Sequence, residues 1–303
     1  MTDSAVTPSP ADERAGDPVD RFLKVLSLHG GEARTTEDIF VGQSEPMPGG
    51  RVFGGQVLGQ AVIAAQRTVP EERVAHSLHG YFLRPGDSLK PITFSVDRIH
   101  DARSFSARRI QAFQDGEPIF SMIASFQTEG AGLEHATPMP QGIPDPESLS
   151  ELPEGADQAD PMSKRLVTDR PVEVRHVLPA IYLRPDPDAR PENAAWVRTR
   201  RRLPDDPALH RAALAYISDH TIQESVLRAH GIAWIRPGIK IASLDSALWW
   251  HRPARVDEWL LYVQESPSAS SGRGLALGRI YTREGLLVAT SAQEIVIRVP
   301  AES

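Results

Sequence analysis

The sequence contains no cysteine among its 303 residues. That absence excludes disulfide bonds, thiolate metal sites, iron–sulfur clusters and a cysteine nucleophile, and it fits a reducing compartment. The first 20 residues hold three prolines and five acids but no apolar segment of the kind found in signal peptides. No apolar run reaches the roughly 18 residues that span a bilayer. We therefore expect a disordered tail over 1–20, no membrane insertion and a cytoplasmic location.

Positive charge is also in short supply, and lysine is scarce. Lys and Arg total 33 against 40 Asp and Glu, which gives a net charge of −7. A nucleic-acid partner is not expected, because such binding needs a basic surface. Only four of the 33 cations are lysine, so arginine dominates. Codon usage in a high-GC genome explains this bias, but arginine also suits phosphate and carboxylate groups, and a phosphorylated ligand stays open.

Proline is distributed unevenly along the chain. Seven of the 26 prolines lie in one stretch between residues 127 and 171. Because proline interrupts both helices and central strands, this stretch predicts a linker. We assign the linker to 131–170, with a short helix near 147–152. The flanking domains are then 21–130 and 171–300.

The two flanking domains repeat one order of elements. A helix is predicted over 54–66 in the first and over 209–228 in the second, and strand-like segments follow each helix. Two turn dipeptides recur at offsets of 168 and 169 residues. The matching pairs are Arg84-Pro85 with Arg252-Pro253, and Asp115-Gly116 with Glu284-Gly285. The repeat predicts an α+β fold built by duplication, in which each half wraps an antiparallel sheet around one long helix.

Three polar residues interrupt or accompany apolar patterns in the second half. Asp219 lies in the middle of an apolar helical face, and Gln293 shares the apolar face of the last strand. Ser243 lies on a strand predicted over 240–253. A buried carboxylate is costly unless it is hydrogen-bonded or paired. Spacing alone leaves other readings open: Asp219 could cap a second helical segment that begins at His220. Gln293 could be a structural amide, and Ser243 an ordinary strand hydroxyl.

Motifs for other chemistries are missing. The ten histidines show no metal-ligand spacing, no GxSxG element surrounds a serine, and no dinucleotide or P-loop motif is present. We therefore expect neither metal nor cofactor. Gly54 and Gly55 lie at the start of the first helix, where free backbone N–H groups can bind an oxygen ligand.

Long segments of the chain resemble the acyl-CoA thioesterase II (TesB-like) family of double hot-dog thioesterases. The similar segments cover residues 51–92, 104–127 and 237–294, together with the YISD sequence around Asp219. The resemblance implies a tandem hot-dog fold and hydrolysis of acyl-CoA to fatty acid and CoA. It also implies that Asp219, Ser243 and Gln293 direct a water molecule at the thioester without a covalent intermediate.

The same resemblance suggests that the two halves of the chain have different roles. The first helix has no acidic residue, and the hairpin offset places Ala124 where the second half has Gln293, so the chemistry is expected in the second half. Gly54 and Gly55 are candidate substrate contacts. Arginines that could bind the CoA phosphates are Arg51, Arg84, Arg103, Arg108, Arg109 and Arg273. We expect a homo-oligomer, either dimer or tetramer.

Two alternative functions remain open at this point. One is hydration of enoyl-CoA by an Asp–His pair. Asp219 and His220 are adjacent, but neighbours on a helix point about 100° apart and do not converge. The other is binding of acyl-CoA without catalysis.

Overall fold

The computed structural model describes residues 17–30, 37–47, 49–152 and 169–300. The helices in these ranges are α1 Pro18–Leu26, α2 Gly54–Gln66, α3 Pro207–Ser218 and α4 Glu224–Ala229. The strands of the first half are β1 His29–Gly30, β2 Asp38–Gly42, β3 Arg73–Phe82, β4 Ile92–Asp101, β5 Phe105–Gln114 and β6 Glu117–Thr128. Those of the second half are β7 Val172–His176, β8 Glu192–Thr199, β9 Lys240–Ser243, β10 Asp245–Trp250, β11 Leu260–Ser270, β12 Arg273–Thr282 and β13 Leu287–Arg298.

The described strands form one antiparallel sheet with a repeated order. The first half runs β2-β4-β5-β6-β3, and the second half continues in mirror order as β10-β13-β12-β11-β8, with β9 paired to β13. The halves join where β3 pairs with β10, Leu78 lying opposite Leu248. One apolar core spans both halves and includes Phe22, Leu58 and Leu214 from the helices. This topology confirms the predicted α+β fold with two like halves.

Helices α2 and α3 pack against each other inside the sheet, and two glycines set their spacing. A Cβ on Gly55 would lie 2.4 Å from the Tyr216 carbonyl oxygen, and one on Gly59 would lie 3.1 Å from the Ala212 oxygen. Only glycine allows backbones to approach this closely. The start of α2 therefore lies beside the end of α3, and the helices run antiparallel.

The predicted single helix over 209–228 is wrong. Helix α3 ends at Ser218, and α4 begins only at Glu224. The intervening turn contains β-branched Thr221, whose Oγ1 accepts a hydrogen bond from buried Gln264 at 2.5 Å. This tertiary hydrogen bond, together with the poor helix propensity of β-branched residues, favours the break.

Two other expectations need correction. Residues 1–16 of the predicted tail lie outside the described residues, but Pro18 begins α1. The Asp17 side chain caps this helix by accepting from the Val19 N–H at 2.7 Å. In the linker, the expected helix near 147–152 is a single 3₁₀ turn, Pro146–Ser148. Linker residues 153–168 also lie outside the described ranges.

None of the helices that the structure describes has the length and apolar character needed to cross a membrane.

Candidate active site

Asp219, Ser243 and Gln293 converge at the boundary between the two halves. The Asp219 carboxylate is 6% exposed. Its Oδ1 accepts from Gln293 Nε2 at 2.6 Å and from Ser243 Oγ at 3.5 Å, and its Oδ2 accepts from the Gly55 N–H at 2.8 Å. The chain thus brings together residues far apart in sequence from α2, the end of α3, β9 and β13.

The local structure around Asp219 explains its fixed position. Asp219 is the C-terminal cap of α3, with φ −89° and ψ −4°. The preceding Ser218 carbonyl accepts from buried Tyr262 Oη at 2.8 Å, which anchors the end of the helix to β11. The alternative that Asp219 caps a second helix is wrong, because Gln223 occupies that position before α4.

Sheet register positions the other two side chains. Ser243 ends β9 and lies opposite Ile295 of β13, two residues beyond Gln293. Gln293 is 1% exposed and points inward with Ser291 and Ile295, as the alternating pattern of β13 predicts. Its Oε1 is buried and has no hydrogen-bond partner within the described chain. The amide therefore offers a free acceptor beside the carboxylate.

Burial makes Asp219 an unusually basic carboxylate. Desolvation raises its pKa to about 6, while the hydrogen bonds from Gln293, Gly55 and Ser243 act in the opposite direction. All three donors are neutral. The C-terminal dipole of α3 disfavours the negative charge, whereas the N-terminus of α2 faces the carboxylate through Gly55 and favours it. The site therefore holds a carboxylate that can both ionise and accept a proton near neutral pH.

The His220 ring packs against two aromatic rings. It lies 4.8 Å from the Phe53 ring and 5.3 Å from the Tyr216 ring, measured between centroids. Burial lowers the pKa of His220 to about 3, so the imidazole is neutral. In the described part of the chain no hydrogen bond joins His220 to Asp219. An Asp–His pair is therefore not formed here.

Five of the six candidate arginines for CoA phosphates, all except Arg108, are at the surface. Arg84 is half exposed, with its guanidinium 3.2 Å from the Glu117 carboxylate. It lies close to the site in the chain, because the N–H of Phe82, two residues earlier, donates to the carbonyl of Leu244, which follows Ser243. Arg273 is similarly exposed, 2.9 Å from Glu294. Both can exchange a surface carboxylate for a phosphate at small cost, because exposed ion pairs are weak.

Arg108 has a different role from the one suggested by the sequence. It is 1% exposed, and its guanidinium donates to Thr68 Oγ1 at 2.8 Å and to Asp101 at 2.9 Å. Arg108 lies opposite Ala124 in the first half, where the second half has Ala276 opposite Gln293. Its buried donors are used internally, so we withdraw Arg108 as a phosphate ligand.

The structure adds one residue that the sequence analysis did not select. Gln223 Nε2 donates to Ser243 Oγ at 2.9 Å. Gln223 follows Asp219 by four residues, a spacing that was visible on the predicted helical face.

Among the described residues, no group of three or more His, Asp and Glu side chains could hold a metal ion.

Comparison with known proteins places the whole chain in context. Residues 163–296 match the family model described as acyl-CoA thioesterase, and residues 43–127 match that of the acyl-CoA thioesterase N-terminal domain. The chain is 36% identical over 274 residues to acyl-CoA thioesterase 2 of Haemophilus influenzae, covering 86% of this chain and 92% of that protein. It is 39% identical over 276 residues to human acyl-coenzyme A thioesterase 8, covering 87% and 85%.

Solved structures agree with the sequence relatives. Acyl-CoA thioesterase II TesB2 from Mycobacterium marinum superposes with a TM-score of 0.75 at 42% identity, covering 92% of this chain and 98% of that one. A hot-dog protein of unknown function from Alicyclobacillus acidocaldarius gives a TM-score of 0.73 at 20% identity, covering 93% and 99%. The latter supports the fold alone. Together these structures confirm the tandem hot-dog architecture.

Proposed function

Because this chain belongs to the acyl-CoA thioesterase family, it hydrolyses acyl-CoA thioesters, and we propose that Asp219, Ser243 and Gln293 carry out that hydrolysis. The observation that supports this assignment most strongly is the buried Asp219 carboxylate held beside the free Gln293 Oε1. A carboxylate oxygen of Asp219 and Oε1 of Gln293 can each accept one hydrogen of a single water molecule. Such a water is oriented with a lone pair directed away from both acceptors.

In the proposed reaction the water oxygen attacks the thioester carbonyl carbon while one water proton passes to Asp219. The resulting tetrahedral intermediate collapses, the C–S bond breaks, and CoA leaves as a thiolate. The proton held by Asp219 then returns to the thiolate or to solvent, which restores the carboxylate. Orientation by Gln293 and Ser243 lowers the entropic part of the barrier, and the raised pKa of Asp219 suits a base working near neutral pH.

No acyl-enzyme is needed in this proposal. The Ser243 hydroxyl has hydrogen bonds to Gln223 and Asp219 but no histidine base among the residues described. Both Asp219 oxygens already accept hydrogen bonds from the protein, which holds the carboxylate in place and lowers its nucleophilicity. Direct attack by water therefore fits the contacts better than attack by either side chain.

The first half contributes to the site through the start of α2. A Cβ on Gly54 would lie 2.7 Å from Asp219 Oδ2, so a glycine there leaves room for the thioester beside the carboxylate. The positive end of the α2 dipole favours the developing oxyanion. We propose that Gly54 and Gly55 line the substrate site, and that Arg84 and Arg273 bind CoA phosphates. In this proposal the acidic and amide side chains come from the second half, and the first half contributes the backbone at the start of α2.

We also propose a cellular setting. The products, fatty acid and CoA, suggest a role in lipid metabolism in the cytoplasm, where acyl-CoA is made and used. A homo-oligomer is supported by large apolar side chains on one outer face of the sheet, since Tyr81 is 63% exposed and Ile123 50% exposed. Sedimentation equilibrium on the purified chain measures its mass directly, and a monomer mass would rule out the oligomer.

The pH dependence of hydrolysis tests the assignment of Asp219 as base. Only the ionised carboxylate can accept the water proton, and its pKa is raised to about 6. We expect kcat/KM to rise about tenfold per pH unit below that value and to level off near pH 7. The measurement is the fall in thioester absorbance between pH 4.5 and 8. A profile that is flat across this range would rule out a base that titrates near pH 6.

A further inference from the structure

We propose that Gln223 is a positioning residue, which sets the direction of the Ser243 hydroxyl and so acts on the water through it. This inference rests on the proposed function, since it assumes that Ser243 takes part in hydrolysis. The observation behind it is the hydrogen bond from Gln223 Nε2 to Ser243 Oγ at 2.9 Å. Gln223 itself has no contact with the Asp219 carboxylate among the described hydrogen bonds.

The hydrogen bond has a directional consequence. A serine hydroxyl rotates among staggered positions and can donate in any of them. When Gln223 donates to Oγ, the hydroxyl hydrogen cannot point towards that amide nitrogen. It is left to point towards Asp219 Oδ1, 3.5 Å away, or towards a water between the two oxygens. Gln223 thus makes Ser243 a donor on the side where the reaction takes place.

Serine needs this restraint more than threonine would. A threonine side chain is stiff at χ1 because its γ-methyl group limits the rotamers, whereas serine lacks that group. The hydroxyl of Ser243 is also at the end of β9, where only one neighbouring strand, β13, pairs with it in the described structure. The Gln223 hydrogen bond supplies the orientation that the side chain does not supply itself.

The turn that carries Gln223 is held firmly enough for such a role. The Gln223 carbonyl accepts from the Val226 and Leu227 N–H groups, each at 3.2 Å, and so begins α4. On one side of Gln223 in sequence, buried Gln264 donates to Thr221.

On the other side, the Glu224 carboxylate, which is 1% exposed, contacts His176 at 3.0 Å and Asn193 at 3.3 Å. Satisfied buried polar networks of this kind rigidify the segment that they hold. The backbone of Gln223 is therefore fixed by its neighbours and does not depend on the hydrogen bond from its side-chain amide to Ser243.

A double-mutant cycle tests the proposal. The variants are Gln223→Leu, Ser243→Ala and the two combined, with kcat, KM and Tm measured for each. We expect Gln223→Leu to lower kcat about tenfold, with KM within about twofold and Tm near wild type. In the Ser243→Ala background the same change should cause no further loss, because the hydroxyl through which Gln223 acts is gone.

Two further variants separate positioning from general damage. Gln66→Leu removes a comparable amide hydrogen bond, from Gln66 Nε2 to the Arg73 carbonyl at 2.7 Å, at the far end of α2, and should leave kcat unchanged. In a Ser243→Thr background, the added methyl group should make Gln223→Leu less harmful than it is beside serine.

The outcomes distinguish two failures. If Ser243→Ala keeps wild-type kcat, the proposed catalytic set is wrong, and this inference falls with it. If Ser243→Ala is impaired but Gln223→Leu keeps wild-type kcat, or if the two losses multiply, the positioning role is overturned while the catalytic set stands.

Discussion

Replacing Asp219 by asparagine is expected to lower kcat for acyl-CoA hydrolysis by a factor of about 10² to 10⁴, the usual contribution of a general base. Asparagine keeps the shape of the side chain and can still accept the Gly55 N–H on its oxygen, but it cannot take a proton from water. Steady-state rates of thiol release at pH 7.5 provide the measurement. KM should change much less than kcat, because the substrate contacts stay in place.

The same variant should also lose the pH dependence of stability that the buried Asp219 carboxylate causes. In the folded protein the pKa of Asp219 is raised to about 6, above its value in an unfolded chain. The folded state therefore loses stability as the pH rises from about 4 to about 6, and the penalty is complete above that range. Asparagine carries no charge, so between pH 4 and pH 7 the difference in free energy of unfolding should shift in favour of the variant by up to about 3 kcal/mol.

A neighbouring carboxylate provides the matched control. Asp245 lies two residues after Ser243, is partly buried, and accepts the Glu294 N–H at 2.7 Å. Asp245→Asn should keep kcat within a few-fold of wild type, because that carboxylate contacts neither Ser243 nor Gln293 in the described structure. Full activity in purified Asp219→Asn would remove Asp219 from the mechanism.

The second large effect is expected from Gly55→Ala. The added Cβ would lie 2.4 Å from the Tyr216 backbone oxygen, a distance that requires α2 and α3 to move apart. Backbone atoms cannot rotate away as a flexible side chain can, so we expect a loss of roughly 3 kcal/mol in the free energy of unfolding. The shift also moves the Gly55 N–H away from Asp219, so kcat should fall more than tenfold in the folded fraction.

Gly130→Ala is the control for this prediction, because a Cβ there meets nothing within 4 Å. Its Tm and kcat should match the wild type. Thermal unfolding followed by circular dichroism gives the comparison. A Gly55→Ala protein with unchanged Tm would show that the two helices are not in backbone contact at this point.

The fold could be predicted from the sequence because duplication leaves the same signals twice. Matching turns such as Asp115-Gly116 and Glu284-Gly285 reveal the repeat without any knowledge of long-range contacts. The break between α3 and α4 could not be predicted in this way. Helical spacing continues from Asp219 to Val226 straight through it, and the hydrogen bond from Gln264 to Thr221 that favours the turn joins residues 43 positions apart.

The site was predictable only in part for similar reasons. Periodicity marked Asp219 and Gln293 as polar residues on apolar faces, and the resemblance to known thioesterases supplied their proposed roles. The burial of Arg108 is also predictable from the sequence. Arg108 alternates with Ile110 and Ala112, which are fully buried, so strand periodicity already predicts an inward guanidinium rather than one at the surface. The convergence of Gly55 on Asp219 depends on packing between the halves, which no local pattern reveals.

The claim that water attacks the thioester directly can be tested by a single turnover in H₂¹⁸O. Enzyme in excess over acyl-CoA is allowed one cycle, and mass spectrometry then measures the isotope in the fatty acid and in the peptide that contains Asp219. Direct attack predicts one ¹⁸O in the fatty acid, none in the peptide, and no acylated peptide in samples quenched with acid during the turnover. Label in the Asp219 carboxylate, or an acyl group on a peptide that contains Asp219 or Ser243, would instead show a covalent intermediate and would contradict the mechanism.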